Sequence, residues 1–387
     1  MRQYRTITYL TLRRQGGRLM RVLSRFGLQA LYYLDNEALY RAVRRLIAPS
    51  LLKLLIHITD RCNYRCSYCY VDRARPALPE AAWFDLINQA QKIGIKKVNI
   101  LGGEPFCAAF LERLLVKIRD AGMRPTIYTN GSLITNDWIA RLRTTKPVLI
   151  FKFDSDTAWY QQTTGQSTVR LADIERTITA CAQAGLPVMT FTTLTKYNLA
   201  HIDAIFEASL RCRAFPVFER YLPVADAATN AAMEVSDEEC AQAMQVFNRR
   251  LHGIEKLWKA ALRIAGRGCG CYRDIISITP AGDVLPCPYL PSSASVGNVQ
   301  TQTLPDVYRL LQAKQGREYR HAAQCTTCEH HHECGGCYTY TYLKQGIFAP
   351  HCNYQSSIGF CSYLLIDLYE SVYRLAMKLT RAKARGI

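Results

Sequence analysis

The chain has 387 residues, of which 49% are hydrophobic and 21% are charged, so a folded protein with a sizeable core is expected. It contains no run of about 18 apolar residues that would indicate a membrane span, and its N-terminus lacks the apolar stretch of a secretory signal, so a cytoplasmic protein is expected. Of the net charge of +18, residues 1–50 contribute +8 (ten Arg less two acids) and residues 371–387 contribute +5 (three Arg and two Lys). The nearly neutral middle argues against a nucleic-acid groove along the chain.

Residues 1–50 are predicted to form a basic helical extension. Leu19, Leu23 and Phe26 recur at helical spacing, while four arginines line another face. A second helix is expected from about Glu37 to Pro49. Two interpretations stand: a cap packed on the rest of the protein, or a surface that contacts an anionic membrane or an acidic peptide. The second would place the protein peripherally at the inner face of the membrane.

An alternation of strands and helices is predicted over residues 51–235. Six apolar runs, from LLKLLIHIT to AFPVFERYL, have the pattern of buried parallel strands. Helical stretches separate them, and Gly94, Gly122 and Gly185 stand where helix C-caps are expected. Six strands are too few for an eight-stranded barrel. The expected α/β fold is therefore a partial (β/α)6 TIM-type barrel with its function at the C-terminal ends of the strands.

The last third of the chain differs in composition. A helical linker is predicted over residues 236–265, a small cysteine-rich domain over residues 266–361 and a basic amphipathic helix over residues 362–387. The cysteine-rich segment lacks the apolar periodicity of an ordinary core, so bound metal is expected to supply much of its folding energy. Sixteen cysteines in an enzyme-sized chain without an export signal favour metal sites over disulfides.

Three of these cysteines, Cys62, Cys66 and Cys69, lie in the loop predicted after the first strand. Their C-x3-C-x2-C spacing offers three thiolates and no fourth cysteine nearby. A metal centre that performs chemistry keeps one position open, and soft thiolates suit an iron–sulfur cluster with one free iron. A zinc site completed by a distant residue is the alternative.

Motifs at the next strand ends bear on that choice. GGEP (residues 102–105), YTNG (128–131) and KFDS (152–155) end the second, third and fourth strands, and Tyr68 directly precedes the last cysteine of the trio. In this order they resemble the radical S-adenosylmethionine (SAM) superfamily. The resemblance implies that the trio holds a [4Fe–4S] cluster, that SAM binds its open iron, and that reductive cleavage yields a 5′-deoxyadenosyl radical which abstracts hydrogen from a substrate. It also implies an electron donor of the flavodoxin or ferredoxin type.

The same resemblance implies a SAM-binding set. Gly102 and Gly103 would let the backbone approach the ligand, and Glu104 would offer a carboxylate to its ammonium group. The full expected set is Tyr68, Gly102, Gly103, Glu104, Pro105, Thr129, Asn130, Asp154 and Ser155.

The C-terminal cysteines resemble the SPASM extension of the superfamily, which carries auxiliary iron–sulfur clusters. VGNV (residues 296–299) resembles a turn of that extension, although two residues separate Cys334 from Cys337 where three are usual. The resemblance implies that the first auxiliary cluster is bound by Cys271, Cys287, Cys337 and Cys269, with Cys361 as the reserve for the fourth ligand. It implies that the second is bound by Cys325, Cys328, Cys334 and Cys352, giving three [4Fe–4S] clusters in all. A zinc ribbon is the alternative, but its CxxC pairs are normally further apart.

SPASM enzymes mostly modify ribosomally made peptides, and a minority act on small molecules such as amino sugars or tetrapyrroles. The implied function is therefore cross-linking or oxidation of a peptide, with a small-molecule substrate as the alternative and a non-catalytic iron–sulfur or zinc scaffold as the second alternative. Residues 1–50 do not resemble a leader-binding module, so such a module would be a separate protein. Pro288 stands where sulfatase maturases place an Asp, which disfavours that subclass.

Glu219 and Arg220, near the end of the sixth strand, are the expected catalytic residues. Glu219 would accept a proton from the substrate, and Arg220 would pair with a carboxylate. A salt bridge to the following helix is the alternative for each.

Overall fold

Six parallel strands form a sheet in the order in which they occur along the chain. They are β1 (Lys53–His57), β2 (Lys97–Leu101), β3 (Arg124–Thr129), β4 (Val148–Lys152), β5 (Val188–Leu194) and β6 (Phe215–Arg220). The computed structural model describes residues 52–71, 76–154, 156–250, 271, 275–318 and 337–347. Every residue of β1 and β2 is buried, as expected for strands covered on both faces. The six predicted strands are confirmed.

Helices connect these strands. They are α1 (Glu80–Lys92), α2 (Leu111–Asp120), α3 (Asn136–Thr145), α4 (Thr157–Thr164), α5 (Leu171–Gln183) and α6 (Ile202–Arg211), followed by α7 (Ala227–Met233) and α8 (Asp237–Arg250). Gly94, Gly122 and Gly185 follow α1, α2 and α5 with positive φ, so the predicted C-caps are confirmed. The short helix α4 was not among the predicted elements. Together, strands and helices have the partial (β/α)6 arrangement that the sequence predicts.

The sheet continues into the cysteine-rich segment. β7 (Ile275–Ile278) pairs in parallel with β1, and β8 (Asp283–Leu285) and β9 (Gly297–Asn298) extend the sheet antiparallel. Helix α9 (Leu304–Glu318) follows, and its Leu304 amide donates to the side-chain oxygen of Gln89 in α1 at 2.7 Å. Helix α10 (Tyr338–Gln345) is the last described element.

Part of this segment belongs to the apolar core of the partial barrel. Ile276, Ile278, Val284 and Leu304 belong to the same hydrophobic core as the strands of the partial barrel. Apolar burial therefore contributes folding energy to residues 275–318, and the expected contribution of bound metal stays a prediction. The periodicity was hard to see because strands of two to four residues are too short to show one.

Several predictions fall outside the described residues: the helices over residues 1–50 and 362–387, part of the linker after residue 250, and seven of the predicted site residues. Those seven are Ser155, Cys269, Cys325, Cys328, Cys334, Cys352 and Cys361. Within the described parts of the chain, no helix is both long and apolar enough to cross a membrane.

Candidate active site

A cavity opens at the C-terminal ends of the parallel strands. The predicted residues that line it are Cys62, Cys66, Cys69, Tyr68, Gly102, Gly103, Glu104, Thr129, Asn130, Glu219 and Arg220. They come from the loop after β1, the ends of β2 and β3, and the end of β6. Because parallel strands end at one edge of the sheet, residues far apart in sequence meet here. Their contacts with a ligand remain predictions.

The cysteine loop is held from two sides by backbone hydrogen bonds. On one side, Gly103 and Glu104 after β2 donate to the carbonyl oxygens of Thr59 and Arg61, at 2.7 and 2.8 Å. On the other, Arg65 and Ser67 donate to the carbonyl oxygens of the last two residues of α4, both at 2.9 Å. The loop that carries the three cysteines is therefore positioned by main-chain contacts before any ligand binds.

Gly102 and Gly103 are needed for this contact. Gly102 has φ +141°, and a Cβ there would lie 2.6 Å from the carbonyl oxygen of Thr59. A Cβ on Gly103 would lie 2.2 Å from the carbonyl oxygen of Arg61. The sequence predicted that the glycines admit a ligand. The structure shows that they also admit the backbone of the cysteine loop, while both residues line the cavity.

Glu104 joins the ends of β2 and β3. It is buried, and its carboxylate accepts from the Thr129 hydroxyl at 2.8 Å, from the Asn130 amide at 2.8 Å and from the Phe106 amide at 3.2 Å. Burial raises the pKa of Glu104 to about 7, although these three hydrogen bonds favour the ionised form. The carboxylate therefore links two strand ends that line the cavity. The ligand contact that the sequence predicts would be a second role.

Asn63 is a site residue that the sequence reasoning missed. Its side-chain oxygen accepts from Asn130 Nδ2 at 3.0 Å, and its Nδ2 donates to the Ser132 hydroxyl at 2.8 Å. Its carbonyl oxygen accepts from Gln166 Nε2 at 2.8 Å. Asn63 thus ties the cysteine loop to the end of β3. Its position within the cysteine motif, between Cys62 and Tyr64, is the sequence feature that could have indicated it.

Lys152 was also missed, although it begins the KFDS motif. Its Nζ lies 4.6 Å from the centroid of the Tyr68 ring and 5.8 Å from that of Tyr160, which are cation–π distances. Burial lowers the pKa of Lys152, and attraction to Cys66 and Asp154 opposes that shift. The cavity therefore contains a partly buried cation beside the cysteine loop.

Two other members of the predicted SAM-binding set lie away from the cavity lining. Asp154 is buried, and its Oδ2 accepts from Asn198 Nδ2 at 3.0 Å. Pro105 is buried at the start of a short 3-10 helix, Pro105–Cys107. Neither is among the described residues that line the cavity. Their expected ligand contacts stay predictions.

Glu219 faces the cavity from β6. Its Oε2 accepts a hydrogen bond of 2.6 Å from the hydroxyl of Tyr289, which also lines the cavity. The ring of Tyr289 meets that of Tyr70 with centroids 4.7 Å apart, and Tyr70 directly follows Cys69. Burial raises the pKa of Tyr70, and the negative charge of Cys69, Glu219 and Cys287 adds to that shift. Glu219 therefore contacts the segment between β8 and β9 through Tyr289, and the Tyr289 ring in turn contacts the cysteine loop through Tyr70.

The guanidinium of Arg220 is engaged by neighbouring groups while the residue also lines the cavity, and its expected catalytic role stays a prediction. Its Nη1 pairs with Asp237 at the start of α8, and its Nη2 donates to the carbonyl oxygen of Val235 at 2.6 Å. The guanidinium also lies 4.6 Å from the ring centroid of Tyr340 in α10. The salt bridge to the following helix, which is the alternative interpretation, is present. The reason is that Asp237 reaches it from the first turn of that helix.

Arg220 belongs to a larger contact between the barrel and α10. The Tyr340 hydroxyl donates to Glu234 at 2.5 Å, and Lys344 donates to the other oxygen of Glu234 at 2.6 Å. Cys337 is the N-cap of α10, where its Sγ accepts from the Tyr340 amide at 3.4 Å. Side chains on both sides of this contact therefore fix the position of Cys337 relative to β6.

Three of the predicted auxiliary-cluster ligands are described. Cys271 is buried, whereas Cys287 and Cys337 are partly exposed. Cys287 packs on a small apolar cluster formed by Leu285, Leu290 and Ala294, and so does Tyr342 in α10. The segments of Cys287 and Cys337 are therefore neighbours. Cys181, Cys212 and Cys240 are buried in the main core, as expected of small apolar residues.

The residues present fit a cluster at the trio. Three cysteine thiols line the cavity at the cysteine loop, which is the donor set that iron–sulfur clusters take, and the nearby carboxylate of Glu104 is already engaged by Thr129, Asn130 and Phe106. No three His, Cys, Asp or Glu side chains of the described residues converge closely enough to share one metal ion. Ligands of a cluster bind separate irons, so they need not converge in that way.

Comparison with known families agrees with this geometry. Residues 56–208 match the Radical SAM superfamily, and residues 269–338 match an iron–sulfur cluster-binding domain, SPASM. The chain is a radical SAM protein with a SPASM domain. The two domains stand in the order that the sequence predicts, and they imply SAM and iron–sulfur clusters as cofactors.

Individual radical SAM proteins resemble the chain at modest identity. An S-adenosylmethionine-dependent nucleotide dehydratase of a Thermoplasmatales archaeon is 38% identical over 89 residues, which cover 22% of this chain and 32% of that protein. A PqqA peptide cyclase of Streptomyces rochei is 27% identical over 73% of this chain and 83% of its own length. An AdoMet-dependent heme synthase of Oleidesulfovibrio alaskensis is 23% identical over 80% of this chain and 88% of its own length.

Solved structures show the same fold. Streptococcus suis SuiB bound to precursor peptide SuiA superposes with a TM-score of 0.62 at 19% identity, covering 78% of this chain and 74% of SuiB. The protein anSMEcpe with bound AdoMet and a Cp18Cys peptide superposes with a TM-score of 0.67 at 16% identity, covering 84% and 99% of the two chains. The fold of this chain is thus shared with solved structures.

Proposed function

We propose that the protein uses a [4Fe–4S] cluster held by Cys62, Cys66 and Cys69 to cleave SAM, and that it modifies a ribosomally made peptide by cross-linking or oxidation. The observation that carries the proposal is the convergence of these cysteines, Gly102–Glu104 and Glu219 on one cavity. When bound, the cluster and SAM supply the radical chemistry. The protein contributes position, exclusion of water and proton transfer.

The roles of individual residues follow from their places. The backbone of Gly102 and Gly103 lines the cavity beside the cysteine loop, and Glu104 keeps that strand end joined to β3. Glu219 accepts a hydrogen bond from the Tyr289 hydroxyl, which would orient the carboxylate that accepts a proton from the substrate. Arg220 holds α8 and α10 in place and is a positioning residue.

The auxiliary sites extend this proposal. Cys271, Cys287 and Cys337, with Cys269 or Cys361, would hold one cluster, and Cys325, Cys328, Cys334 and Cys352 would hold another. Anaerobically reconstituted protein should then contain about twelve iron and twelve sulfide per chain, since each cluster of this type has about four of each. Zinc in place of part of that iron would favour the zinc ribbon at the C-terminal cysteines.

Two observations support a peptide substrate. The PqqA peptide cyclase matches along most of both chains, and the fold accommodates a peptide in SuiB and anSMEcpe. The test incubates reduced enzyme and SAM with a short peptide encoded beside the gene, then measures peptide mass. A loss of about two mass units per cross-link is expected, since two hydrogens are removed for each new bond.

A small-molecule substrate is the second candidate, because a heme synthase matches over 80% of this chain at similar identity. If no neighbouring peptide changes mass, and a metabolite accelerates formation of 5′-deoxyadenosine, this candidate replaces the first. The proposal includes three further partners. An electron donor of the flavodoxin or ferredoxin type would reduce the cluster, and a separate protein would bind the leader of the peptide. The basic residues 1–50 would contact an anionic membrane.

A further inference from the structure

Lys152 lines the cavity, and the proposed reaction assigns it no role. It ends β4 and faces the cavity, where its Nζ stands over the ring of Tyr68 at 4.6 Å. Tyr68 directly precedes Cys69. The second ring near Nζ, that of Tyr160, belongs to a buried cluster on which Cys62 and Cys66 pack. Both rings that flank the ammonium group therefore also adjoin the cysteine loop.

The charges near Lys152 have a simple layout. Two groups attract its ammonium electrostatically, the thiol group of Cys66 when ionised and the carboxylate of Asp154. Asp154 already accepts a hydrogen bond from Asn198. Among the described residues, no carboxylate forms a salt bridge with Lys152. A partly buried cation whose close contacts are aromatic rings is further stabilised by additional negative charge in the cavity.

We propose that Lys152 provides the positive charge that makes the cluster at Cys62, Cys66 and Cys69 easier to reduce. This inference rests on the proposed function, because it requires the trio to hold that cluster. Three thiolates bring negative charge to the cluster, and reduction adds one more negative charge. A nearby cation stabilises the reduced form more than the oxidised form, so it raises the reduction potential. Partial burial strengthens the interaction, since the effective dielectric is lower than in water.

The competing explanation is that Lys152 binds the carboxylate of a ligand in the cavity. That explanation predicts weaker ligand binding without Lys152 and no change in potential of the ligand-free protein. The cation–π contact with Tyr68 favours the electrostatic role, because it holds the ammonium against the residue that precedes a cluster ligand. The two explanations are separable by measuring potential and SAM affinity independently.

The experiment is a redox titration followed by electron paramagnetic resonance on full-length reconstituted protein without SAM. The signal of interest is the one lost in the variant with Cys62, Cys66 and Cys69 all changed to Ala. Lys152→Met removes the charge and keeps the length of the side chain. It should lower the equilibrium constant for one-electron reduction about tenfold, which is about 59 mV in midpoint potential. Lys152→Arg keeps the charge and should leave the midpoint near that of the wild type.

Asp154→Asn should shift the midpoint potential in the opposite direction. It removes a negative charge beside Lys152 and should raise the midpoint. Iron content equal to that of the wild type shows that a variant has folded and loaded. Equal midpoints in Lys152→Met and wild type, with SAM affinity lowered, would overturn the inference in favour of ligand binding. If wild-type protein gives no signal that depends on the trio, the proposed function fails, and this inference fails with it.

Discussion

The two walls of the cavity are built differently. The cysteine wall, formed by the loop after β1 with the ends of β2, β3 and α4, is joined mainly by backbone hydrogen bonds and by glycines that allow close approach. The β6 wall, formed by Glu219, Arg220 and their partners, is joined by side chains that meet across long sequence separations. The comparison teaches that the cysteine wall depends on backbone fit, to which Glu104 and Asn63 add side-chain links, whereas the β6 wall depends mainly on side-chain charge and hydrogen bonds.

Gly103→Ala should have the largest effect on the cysteine wall. The new Cβ would lie 2.2 Å from the carbonyl oxygen of Arg61, and backbone atoms cannot rotate away. We expect loss of the trio's cluster, seen as about one third less iron if three four-iron clusters form. The matched control is Gly94→Ala. Gly94 has φ +80°, and a Cβ added there would have no atom within 4 Å, so this change should cost about 1 kcal/mol and retain all iron.

Arg220→Met should destabilise the β6 wall by about 3–5 kcal/mol, because it leaves Asp237 and neighbouring acceptors without their cation. The Arg220 side chain is 8% exposed and that of Asp237 is 33% exposed. The control is Arg141→Met, which breaks a pair with Asp137 whose side chains are 46% and 67% exposed and should cost less than about 1 kcal/mol. The free energy of unfolding in denaturant measures both. Similar values for the two variants would contradict the importance of buried charge at this wall.

Glu104 gives the cysteine wall a pH dependence. Its pKa is raised from 4.5 to about 7, so the folded protein keeps a proton that the unfolded chain loses. Stability from this group is therefore full below pH 4.5 and falls as pH rises to about 7, by roughly 3 kcal/mol in total. His57, whose pKa burial lowers to about 4, acts in the opposite direction. The difference between wild type and Glu104→Gln isolates Glu104, and a difference that is flat from pH 5 to pH 8 would contradict the shift.

Glu219→Gln should separate the functions of the two walls. Product formation should fall roughly 100-fold, which is a common contribution of a positioned proton acceptor, while reductive SAM cleavage continues. Tyr289→Phe removes only the hydrogen bond that orients Glu219 and should have a smaller effect, about tenfold. Both rates come from single-turnover assays of product and 5′-deoxyadenosine. Equal loss of SAM cleavage and product in Glu219→Gln would show that Glu219 supports the cofactor and not the substrate.

The sequence allowed more of the cysteine wall to be predicted than of the β6 wall, for a physical reason. Cys62–Cys69 and Gly102–Pro105 are contiguous motifs at strand ends, and the order of parallel strands brings such ends together. The contact of Glu219 with Tyr289 joins residues 70 positions apart through side chains, and no local pattern indicates it. The salt bridge of Arg220 with Asp237 could be named only as an alternative, because it joins residues 17 positions apart through side chains.

The fold shows the same contrast. Long apolar strands and capped helices of the partial barrel were predictable from periodicity. β7 was not, because its four residues carry no periodic signal and its pairing with β1 depends on tertiary packing. Lys152 belongs to the KFDS motif and could be noticed in the sequence. Its position over Tyr68 could not be predicted, because it depends on how the end of β4 packs against the cysteine loop.

The measurement that tests the central claim most directly is SAM cleavage after chemical reduction in the variant with Cys62, Cys66 and Cys69 all changed to Ala. Circular dichroism and iron content verify that the variant folds and loads its remaining sites. The account predicts no 5′-deoxyadenosine and loss of about one third of the iron, since the trio would hold one of three clusters. SAM cleavage at the wild-type rate in that variant would contradict the assignment of the active cluster to this cavity.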